Sequence, residues 1–340
     1  MINFKNDYSD IAHEKILERL INLKQENHTG YGIDQHTELA KKHIQAHITK
    51  EVDIHFMGGG TITNKTVIAH ILKPYEAVIS ARTGHIVVHE TGAIEQTGHK
   101  ILCIDTLNGK VTPKDVLTVF HEHTDEHMVK PKLLYLSCAT ETGEIYTKKE
   151  LIKLSKVTHE LGMWLYIDGA RLGVSLTSEK NDLSLNDYAE YTDIFYIGGT
   201  KNGALFGEAL VICNNALKEN FRYSIKQNGG LLAKGFLTAI QFQVLFEDGL
   251  FFDIAKKANE SSSYLVNELK ETGVSFESTP TNQQFIVLDN TQISILSQTY
   301  LFEIWSKGEH QSKIRLVTTY QTEKANIDLF IKDLNNLLKK

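Results

Sequence analysis

Short apolar segments alternate with amphipathic segments along the first two thirds of the chain. The apolar segments predict strands over residues 54–57, 77–80, 101–104, 133–137, 164–168, 194–198 and 209–213. The intervening segments, including 61–72, 112–121 and 147–161, carry apolar residues at helical spacing. Because the strand segments are apolar throughout, both faces of the sheet should be covered. The pattern therefore predicts an α/β fold with a mostly parallel, seven-stranded sheet between helices.

The pattern changes after about residue 234. Helices are predicted over 234–247, 252–271 and 323–338, with strands over 274–277, 285–288 and 314–317. This mixture indicates a smaller C-terminal α+β domain over 246–340, after a large domain over 26–245. A helix predicted over 11–25 belongs to an N-terminal segment, 1–25, which we expect to pack near the small domain.

Composition and charge exclude several classes of protein. The 340 residues carry a net charge of -6 with dispersed basic residues, so a nucleic-acid surface is not expected. The chain has no signal-peptide pattern and no apolar run near the ~20 residues of a membrane span. Cys103, Cys138 and Cys213 lack metal or disulfide spacing. These features predict a soluble cytoplasmic protein with reduced thiols.

A histidine-rich segment over 121–127 could suggest a metal site. The residues His121, Glu122, His123 and His127 do not form the HExxH pattern of a zinc helix. The segment is polar and precedes Pro131, so we interpret it as a solvated helix end or loop. No metal site is expected.

Two predicted strands end in residues that could bind pyridoxal 5'-phosphate (PLP). Asp168 ends one strand and is followed by Gly169, and Lys201 follows the next strand after two glycines and Thr200. A lysine amine can condense with the cofactor aldehyde, and a carboxylate can keep the pyridine nitrogen protonated. Each residue alone could equally be a helix cap or a turn residue. The residues by themselves leave the PLP site and this structural interpretation evenly balanced.

A third candidate feature is the turn at 58–61, where three glycines and Thr61 join a strand to a helix. Backbone N–H groups at a helix N-terminus favour a phosphate, and glycine permits close approach. The turn lacks a Walker lysine and a complete GxGxxG pattern, so a nucleotide site is poorly supported. A purely structural glycine turn remains the alternative.

Taken together, these motifs resemble the fold-type I PLP enzymes, and in particular the low-specificity L-threonine aldolase and β-eliminating lyase family. The resemblance spans nearly the whole chain. It is carried by the segments 166–172, 60–61, the motif around Lys201, 314–318, and the early segments 6–9 and 31–34.

The resemblance implies a role for each candidate residue. Lys201 would form the Schiff base with PLP, Asp168 would bind the pyridine nitrogen, and Gly60 and Thr61 would bind the phosphate. His85 would stack on the ring and assist proton transfer, and Glu90 would support it. Arg171 would orient the cofactor or substrate, and Arg315 would bind the substrate carboxylate, for which a planar guanidinium is suited.

The chain departs from the family pattern in two places. Glu141 stands where many aldolases have a histidine that handles the substrate hydroxyl. A carboxylate could accept that proton, although Glu141 could instead be a loop residue that caps the next helix. Near Lys201, Thr200 replaces the usual serine and Asn202 separates the lysine from Gly203. These changes do not affect the assignment of Lys201 as the Schiff-base residue, but they weaken the resemblance to the aldolases specifically.

The leading expectation is aldol cleavage of L-threonine or L-allo-threonine to glycine and acetaldehyde. Elimination from an aromatic or sulfur amino acid, transamination, and a PLP-binding protein without turnover are the alternatives. Family members usually form dimers with shared sites, so we expect a homodimer or homotetramer. By resemblance, Tyr31 and Lys234 would reach the cofactor or the partner's site, although each could also be purely structural.

Overall fold

A computed structural model describes residues 1–23 and 26–339. Within those residues the strands are β1 (Ile2–Asn3), β2 (Asp53–Met57), β3 (Glu76–Ala81), β4 (Lys100–Ile104), β5 (Lys130–Ser137), β6 (Trp164–Asp168), β7 (Ile194–Gly198), β8 (Glu208–Ile212), β9 (Phe276–Glu277), β10 (Gln283–Asp289), β11 (Tyr300–Leu301), β12 (Glu303–Lys307) and β13 (Gln311–Val317).

The helices of the same residues are α1 (Glu14–Asn22), α2 (Gln35–Gln45), α3 (Gly60–Ile71), α4 (His85–Val88), α5 (Pro113–Glu122), α6 (Lys148–Glu160), α7 (Leu172–Leu176), α8 (Leu185–Tyr191), α9 (Phe221–Gln227), α10 (Phe236–Glu247), α11 (Leu250–Thr272), α12 (Asn290–Leu296) and α13 (Lys324–Leu338). Short 3-10 turns span Glu95–Thr97 and Asn215–Leu217.

The large sheet has seven strands in the order β2-β8-β7-β6-β5-β3-β4. Strand β8 runs antiparallel to both of its neighbours, whereas the other pairs are parallel. Every residue of β3, β7 and β8 is buried, as expected for a sheet covered by helices on both faces. The prediction of a mostly parallel seven-stranded sheet is confirmed.

Local sequence signals explain where several covering helices begin. Thr112, Thr147 and Ser184 each accept a hydrogen bond from a backbone N–H of the first turn, and an acidic residue three positions later completes a capping box. Helix α10 has buried residues from Thr238 to Phe246 and so lies inside the large domain. The three capped helices, α5, α6 and α8, lie before β5, β6 and β7 in the chain.

The C-terminal region contains a four-stranded antiparallel sheet in the order β12-β13-β10-β9. Its core includes Leu265 and Leu269 of α11 together with Phe330 and Leu334 of α13. Helix α11 also contributes Ile254 to the core of the large domain, so this single helix spans both regions.

The N-terminal segment contacts both regions. Strand β1 pairs in parallel with β11, and Phe4 is fully buried in the C-terminal core. Helix α1 instead buries Ile16 in the core of the large domain, and Arg19 pairs with Glu247 of α10 at 2.8 Å. The residues between Phe4 and Ile16 therefore connect the C-terminal core to the core around the seven-stranded sheet.

Several predicted boundaries need correction. The helix predicted over 11–25 spans only Glu14–Asn22 in the described residues, and the last predicted positions lie outside them. The strand predicted over 274–277 is limited to Phe276–Glu277, whereas β10 and β13 are longer than predicted. Helix α2 and the outer strand β12 were not predicted. No helix in the described part of the chain is both long and apolar enough to cross a bilayer.

Candidate active site

The carboxylate of Asp168 lies at the end of β6 and is 3 % exposed. Its Oδ2 accepts hydrogen bonds from the Tyr135 hydroxyl at 2.6 Å and from Asn64 Nδ2 at 3.0 Å. Its Oδ1 accepts from the Tyr196 hydroxyl and from the backbone N–H of Ala170. Burial and the Asp168 charge hold the pKa of both tyrosines well above the ordinary value, so the phenols keep their protons and can donate.

The backbones following β6 and β7 approach too closely for side chains. A Cβ on Gly169 would clash with the Tyr196 carbonyl oxygen, and one on Gly198 would clash with the Ala170 carbonyl oxygen. Glycine at both positions therefore lets the two strand ends lie side by side. This contact brings the Lys201 loop next to Asp168.

The Lys201 loop is fixed by hydrogen bonds to buried neighbours. Glu208 accepts from the Gly199 N–H and from the Thr200 hydroxyl, both at 2.9 Å. Asn202, which separates Lys201 from Gly203, donates to the Phe251 carbonyl at 2.8 Å. Both departures from the family motif thus have structural partners. Burial raises the pKa of Glu208 to about 7.

The Lys201 amine lies among charged groups on three segments of the chain. Burial lowers its pKa, and the positive charge of Arg171 lowers it further, against the opposing effects of Asp7, Asp168 and Glu208. A lowered pKa increases the fraction of neutral, nucleophilic amine near neutral pH. Lys201 also lies 5.9 Å from the centre of the Tyr8 ring.

Arg171 forms a two-point ion pair with Asp7. The guanidinium Nε and Nη2 donate to the two Asp7 oxygens at 2.7 and 3.0 Å, and Asn282 adds a third donor at 3.0 Å. Burial opposes ionisation of Asp7, but Arg171 and then Lys201 outweigh it and hold its pKa at about 2. Two of the three guanidinium nitrogens of Arg171 are therefore held by Asp7 of the N-terminal segment.

His85 starts the short helix α4 and faces a buried acidic side chain. Its Nδ1 lies 2.7 Å from Glu90 Oε1, which also accepts from Asn64 at 2.7 Å. Asn64 therefore links Glu90 to Asp168. A carboxylate only accepts, so Nδ1 donates to Glu90 and this contact orients the imidazole ring. His85 itself begins a helix rather than a strand, since 85–88 is helical.

Glu141 lies beside His85. Its Oε1 accepts from the backbone N–H of His85 at 2.8 Å and from the Ser137 hydroxyl at 2.6 Å. Burial raises its pKa above the ordinary value. Glu141 does not cap the following helix, because Thr147 does so with Glu150. The alternative role as a helix cap is therefore wrong.

Helix α3 presents its N-terminus at the end of β2. Gly59 is the residue before the helix and provides no side-chain cap, and the first turn carries no acidic residue. A Cβ on Gly60 would lie 3.2 Å from the Tyr196 hydroxyl, which also contacts Asp168. Unpaired N–H groups and the helix dipole make this end suited to an anion, with Thr61 exposed beside it.

Arg315 lies on β13, opposite Phe285 and Glu303 of the neighbouring strands. Its Nη1 donates to Gln283 at 3.2 Å, and its guanidinium lies 5.0 Å from the centre of the Trp305 ring. Its Nε is buried without a hydrogen-bond partner in the described residues. Burial and then Arg171 lower its pKa. The guanidinium thus retains capacity for an anionic ligand.

The contacts of Tyr31 are with other residues than those of this cluster. The Tyr31 N–H donates to Ala233, its carbonyl accepts from Arg222, and its ring is half exposed. Lys234 is exposed next to Ala233. The histidine-rich segment ends α5, where His123 contacts the Val119 carbonyl at 2.7 Å, as expected for a helix end.

Sequence reasoning missed the residues that support the site. These are Asp7, Asn64, Tyr135, Tyr196, Glu208 and Gln283. The sequence marks the segment around Asp7 only by its resemblance to the family, without a role for Asp7 itself. Tyr135 and Tyr196 offered a usable signal, since each lies two residues or fewer from the carboxyl end of a strand adjacent to β6.

The donor set fits PLP. A buried carboxylate, a lysine of lowered pKa and an open helix N-terminus correspond to the ring nitrogen, the aldehyde and the phosphate of that cofactor. The buried Glu90 Oε2 has no hydrogen-bond partner in the described residues, which leaves a polar atom for a ligand or a water.

Comparison with known proteins agrees with this reading. A threonine aldolase from Leishmania major has 42% sequence identity and a TM-score of 0.98, covering 99% of this chain and 100% of that one. A putative L-allo-threonine aldolase from Listeria monocytogenes shares the fold at 18% identity, with a TM-score of 0.78 over 98% of this chain and 96% of its own.

A low specificity L-threonine aldolase from Pseudomonas sp. is 32% identical over 237 residues, which cover 69% of this chain and 68% of that protein. The architecture is that of the fold-type I enzymes. The profile of the family described as beta-eliminating lyase matches residues 8–291. The chain therefore belongs to the beta-eliminating lyase family, and the predictions of family, fold class and a lyase are confirmed.

Proposed function

We propose that this protein is a PLP-dependent L-threonine aldolase that converts L-threonine or L-allo-threonine to glycine and acetaldehyde. The observation that carries the proposal is the clustering of Lys201, Asp168 and the Asp7–Arg171 pair, in a chain 42% identical to a threonine aldolase. The relatives with at least 30% identity named above are threonine aldolases, so elimination and transamination lack comparable support.

The cofactor would be held at three points. Asp168 would bind the ring nitrogen, Lys201 the aldehyde carbon, and the N-terminus of α3 with Gly60 and Thr61 the phosphate. When bound, PLP would supply an electron-withdrawing ring that takes up the electron pair of the Cα–Cβ bond as the aldehyde leaves. The network from Asn64 to Asp168 and Glu90 would keep the carboxylate in place.

Arg315 would bind the substrate carboxylate. Gln283 and the Trp305 ring restrict its guanidinium, so little side-chain freedom is lost when the substrate arrives. A planar guanidinium can donate two parallel hydrogen bonds to a carboxylate. This contact would orient the Cα–Cβ bond for cleavage.

Glu141 would accept the proton of the substrate hydroxyl. Its Oε1 is committed to His85 N–H and Ser137, which leaves Oε2 to meet the substrate. A raised pKa makes its carboxylate a stronger base than an ordinary glutamate. His85, oriented by Glu90, would lie over the cofactor and help to move that proton.

We further infer a homodimer or homotetramer in the cytoplasm. Leu205 and Phe206, just after Lys201, are about one third exposed, as is Leu232, while Tyr8 and Ile33 are more than half exposed. Such an apolar surface next to the site favours a partner subunit. The free thiols of the three cysteines fit a reducing compartment. Molar mass by light scattering tests the assembly.

The test is acetaldehyde release by PLP-loaded protein from L-threonine and L-allo-threonine. Lys201→Ala should abolish the release, whereas Lys226→Ala, which removes a lysine near the Tyr31 ring, should retain a large part of it. Borohydride reduction should fix PLP on the peptide containing Lys201. Release of acetaldehyde by Lys201→Ala, or its absence from the wild type with PLP bound, would reject the proposal.

A further inference from the structure

Two histidines and a glutamate meet at the entrance to the segment that carries Tyr31. The Nε2 atoms of His28 and His36 lie 3.7 and 3.3 Å from Glu26 Oε2. One potential ligand atom from each residue lies within 4.8 Å of the others. The sequence predicted no metal here, because the residues are not spaced as in a zinc helix and only the fold brings His36 of α2 beside the preceding loop.

A hydrogen bond on the other ring nitrogen orients His36 as a metal ligand. His36 Nδ1 lies 2.8 Å from the buried Gln243 Oε1 of α10. An amide oxygen only accepts, so Nδ1 donates to Gln243, and Nε2 donates to the Glu26 carboxylate at 3.3 Å. A bound ion would replace the Nε2 proton, and Nε2 would then present its lone pair to the ion. A metal-ligating histidine typically has such a hydrogen-bonded partner on its other nitrogen.

His28 is the least satisfied member of the cluster. Its side chain is only 5 % exposed, yet Nε2 has no hydrogen-bond partner within the described residues. Its ring packs against Phe236 at 4.6 Å and against His36 at 5.0 Å between ring centres. An ion pair between Glu26 and His36 alone would leave this buried nitrogen unpaired, which is unfavourable for a polar atom removed from water.

We propose that Glu26, His28 and His36 bind a divalent transition-metal ion, with Zn²⁺ as the best match. Two imidazoles and one carboxylate are ligands that Zn²⁺ prefers, at about 2.0–2.2 Å. Ligand atoms at that distance in a tetrahedron lie roughly 3.3 Å apart. The two separations from Glu26, 3.3 and 3.7 Å, are close to this value, and the remaining pair of ligand atoms, on the two histidines, lies within 4.8 Å. Water would take the fourth position, because Glu26 is 42 % exposed.

The bound ion would join Glu26 and His28 of the loop before α2 to His36 of α2, which contacts Gln243 of α10. That loop contains Tyr31 at φ 63° and Gly32 at φ 68°, a left-handed conformation that is unusual for tyrosine. Further contacts that hold it are the hydrogen bonds from Tyr31 to Ala233 and from Arg222 to Tyr31. The ion would therefore act as a structural support for Tyr31, independent of whether the enzyme is an aldolase.

The experiment is calorimetric titration of the chelator-treated, PLP-loaded protein with ZnCl₂ and with CoCl₂. We expect one tight site in the wild type and a tetrahedral visible spectrum with Co²⁺. His28→Ala and Glu26→Gln should weaken Zn²⁺ binding by at least a hundredfold. His127→Ala, in the exposed histidine-rich segment, is the matched control and should bind as the wild type does.

Hydrogen exchange provides a second readout. Zn²⁺ should slow exchange in the peptide around residues 26–34 of the wild type and leave that of His28→Ala unchanged. Glu26 is exposed, so Glu26→Gln should fold normally and separates lost binding from misfolding. The proposal would be overturned if the wild type took up no Zn²⁺. It would also be overturned if Glu26→Gln and His28→Ala bound Zn²⁺ as tightly as the wild type does.

Discussion

Replacing Asp7 with asparagine tests how the N-terminal segment supports the site. The carboxylate is 2 % exposed and receives two hydrogen bonds from Arg171 and one from Asn282. The variant keeps the shape of the side chain but leaves the buried guanidinium without its counter-charge. Breaking a buried pair in this way costs roughly 3–5 kcal/mol of unfolding free energy at neutral pH.

Part of that effect depends on pH, and the pKa shift gives its size. The pKa of Asp7 is about 2 in the folded chain against 3.8 ordinarily. The difference of about 1.8 units corresponds to about 2.4 kcal/mol of stability above the unfolded pKa. Because the folded pKa is depressed, this stability is lost as pH falls through the window from about 5 to about 1. About 1 kcal/mol of it should already be lost between pH 7 and pH 3.

The assay is urea unfolding followed by tryptophan fluorescence for wild type and variant in parallel at several pH values. The difference between them should shrink by about 1 kcal/mol from pH 7 to pH 3. Asp105→Asn is the control, because Asp105 pairs with Arg82 on the surface and both are mostly exposed. The reasoning would be refuted if Asp7→Asn lowered the free energy of unfolding at neutral pH as little as Asp105→Asn does. It would also be refuted if the difference in unfolding free energy between wild type and Asp7→Asn did not change with pH.

Three further predictions follow from the site. Glu141→Gln should lower kcat on L-threonine by about 10²–10⁴-fold while PLP absorbance is unchanged; unchanged turnover would remove Glu141 from the reaction. Arg315→Lys should raise KM for L-threonine about tenfold or more, because the two-point contact with the carboxylate is lost. Lys313→Ala is the control, since Lys313 lies on the same strand and pairs with Glu277, and its KM should not change. A KM of Arg315→Lys equal to that of the wild type would exclude Arg315 as the carboxylate site. The pKa of Glu208 is about 7 in the folded chain against 4.5 ordinarily, so protonation of Glu208 favours the folded state. This effect contributes about 3 kcal/mol to the free energy of unfolding below pH 4.5, and the contribution is lost as pH rises through 7. Glu208→Gln should therefore flatten the fall in thermal midpoint between pH 5 and pH 8, and an unchanged profile would contradict that pKa.

The sequence was most informative where one physical rule dominates. Continuous apolar strands of β3, β7 and β8 required a sheet covered on both faces. Asp168 and Lys201 follow the carboxyl ends of β6 and β7, and ligands bind at that edge of a parallel sheet, so their neighbourhood could be predicted. The helices predicted from apolar spacing at 112–121 and 147–161 begin within one residue of the observed helix starts, which Thr112 and Thr147 cap.

The remaining features depend on contacts between distant segments. Strand β12 is mostly exposed and lacks the apolar run that marked the other strands. The pairing of Asp7 with Arg171 joins residues 164 positions apart. Asn64, on α3, was read as part of a helical pattern, but its partners lie on β6 and after α4. Such pairings are set by the tertiary arrangement and leave no local signal.

The measurement that tests the central claim most directly is the partition of products from L-threonine with the PLP-loaded wild type. Aldol cleavage predicts glycine and acetaldehyde in equal amounts, with no ammonia and no keto acid. Ammonia and 2-oxobutanoate in equal amounts, without acetaldehyde, would show elimination at the same site and contradict the proposed function.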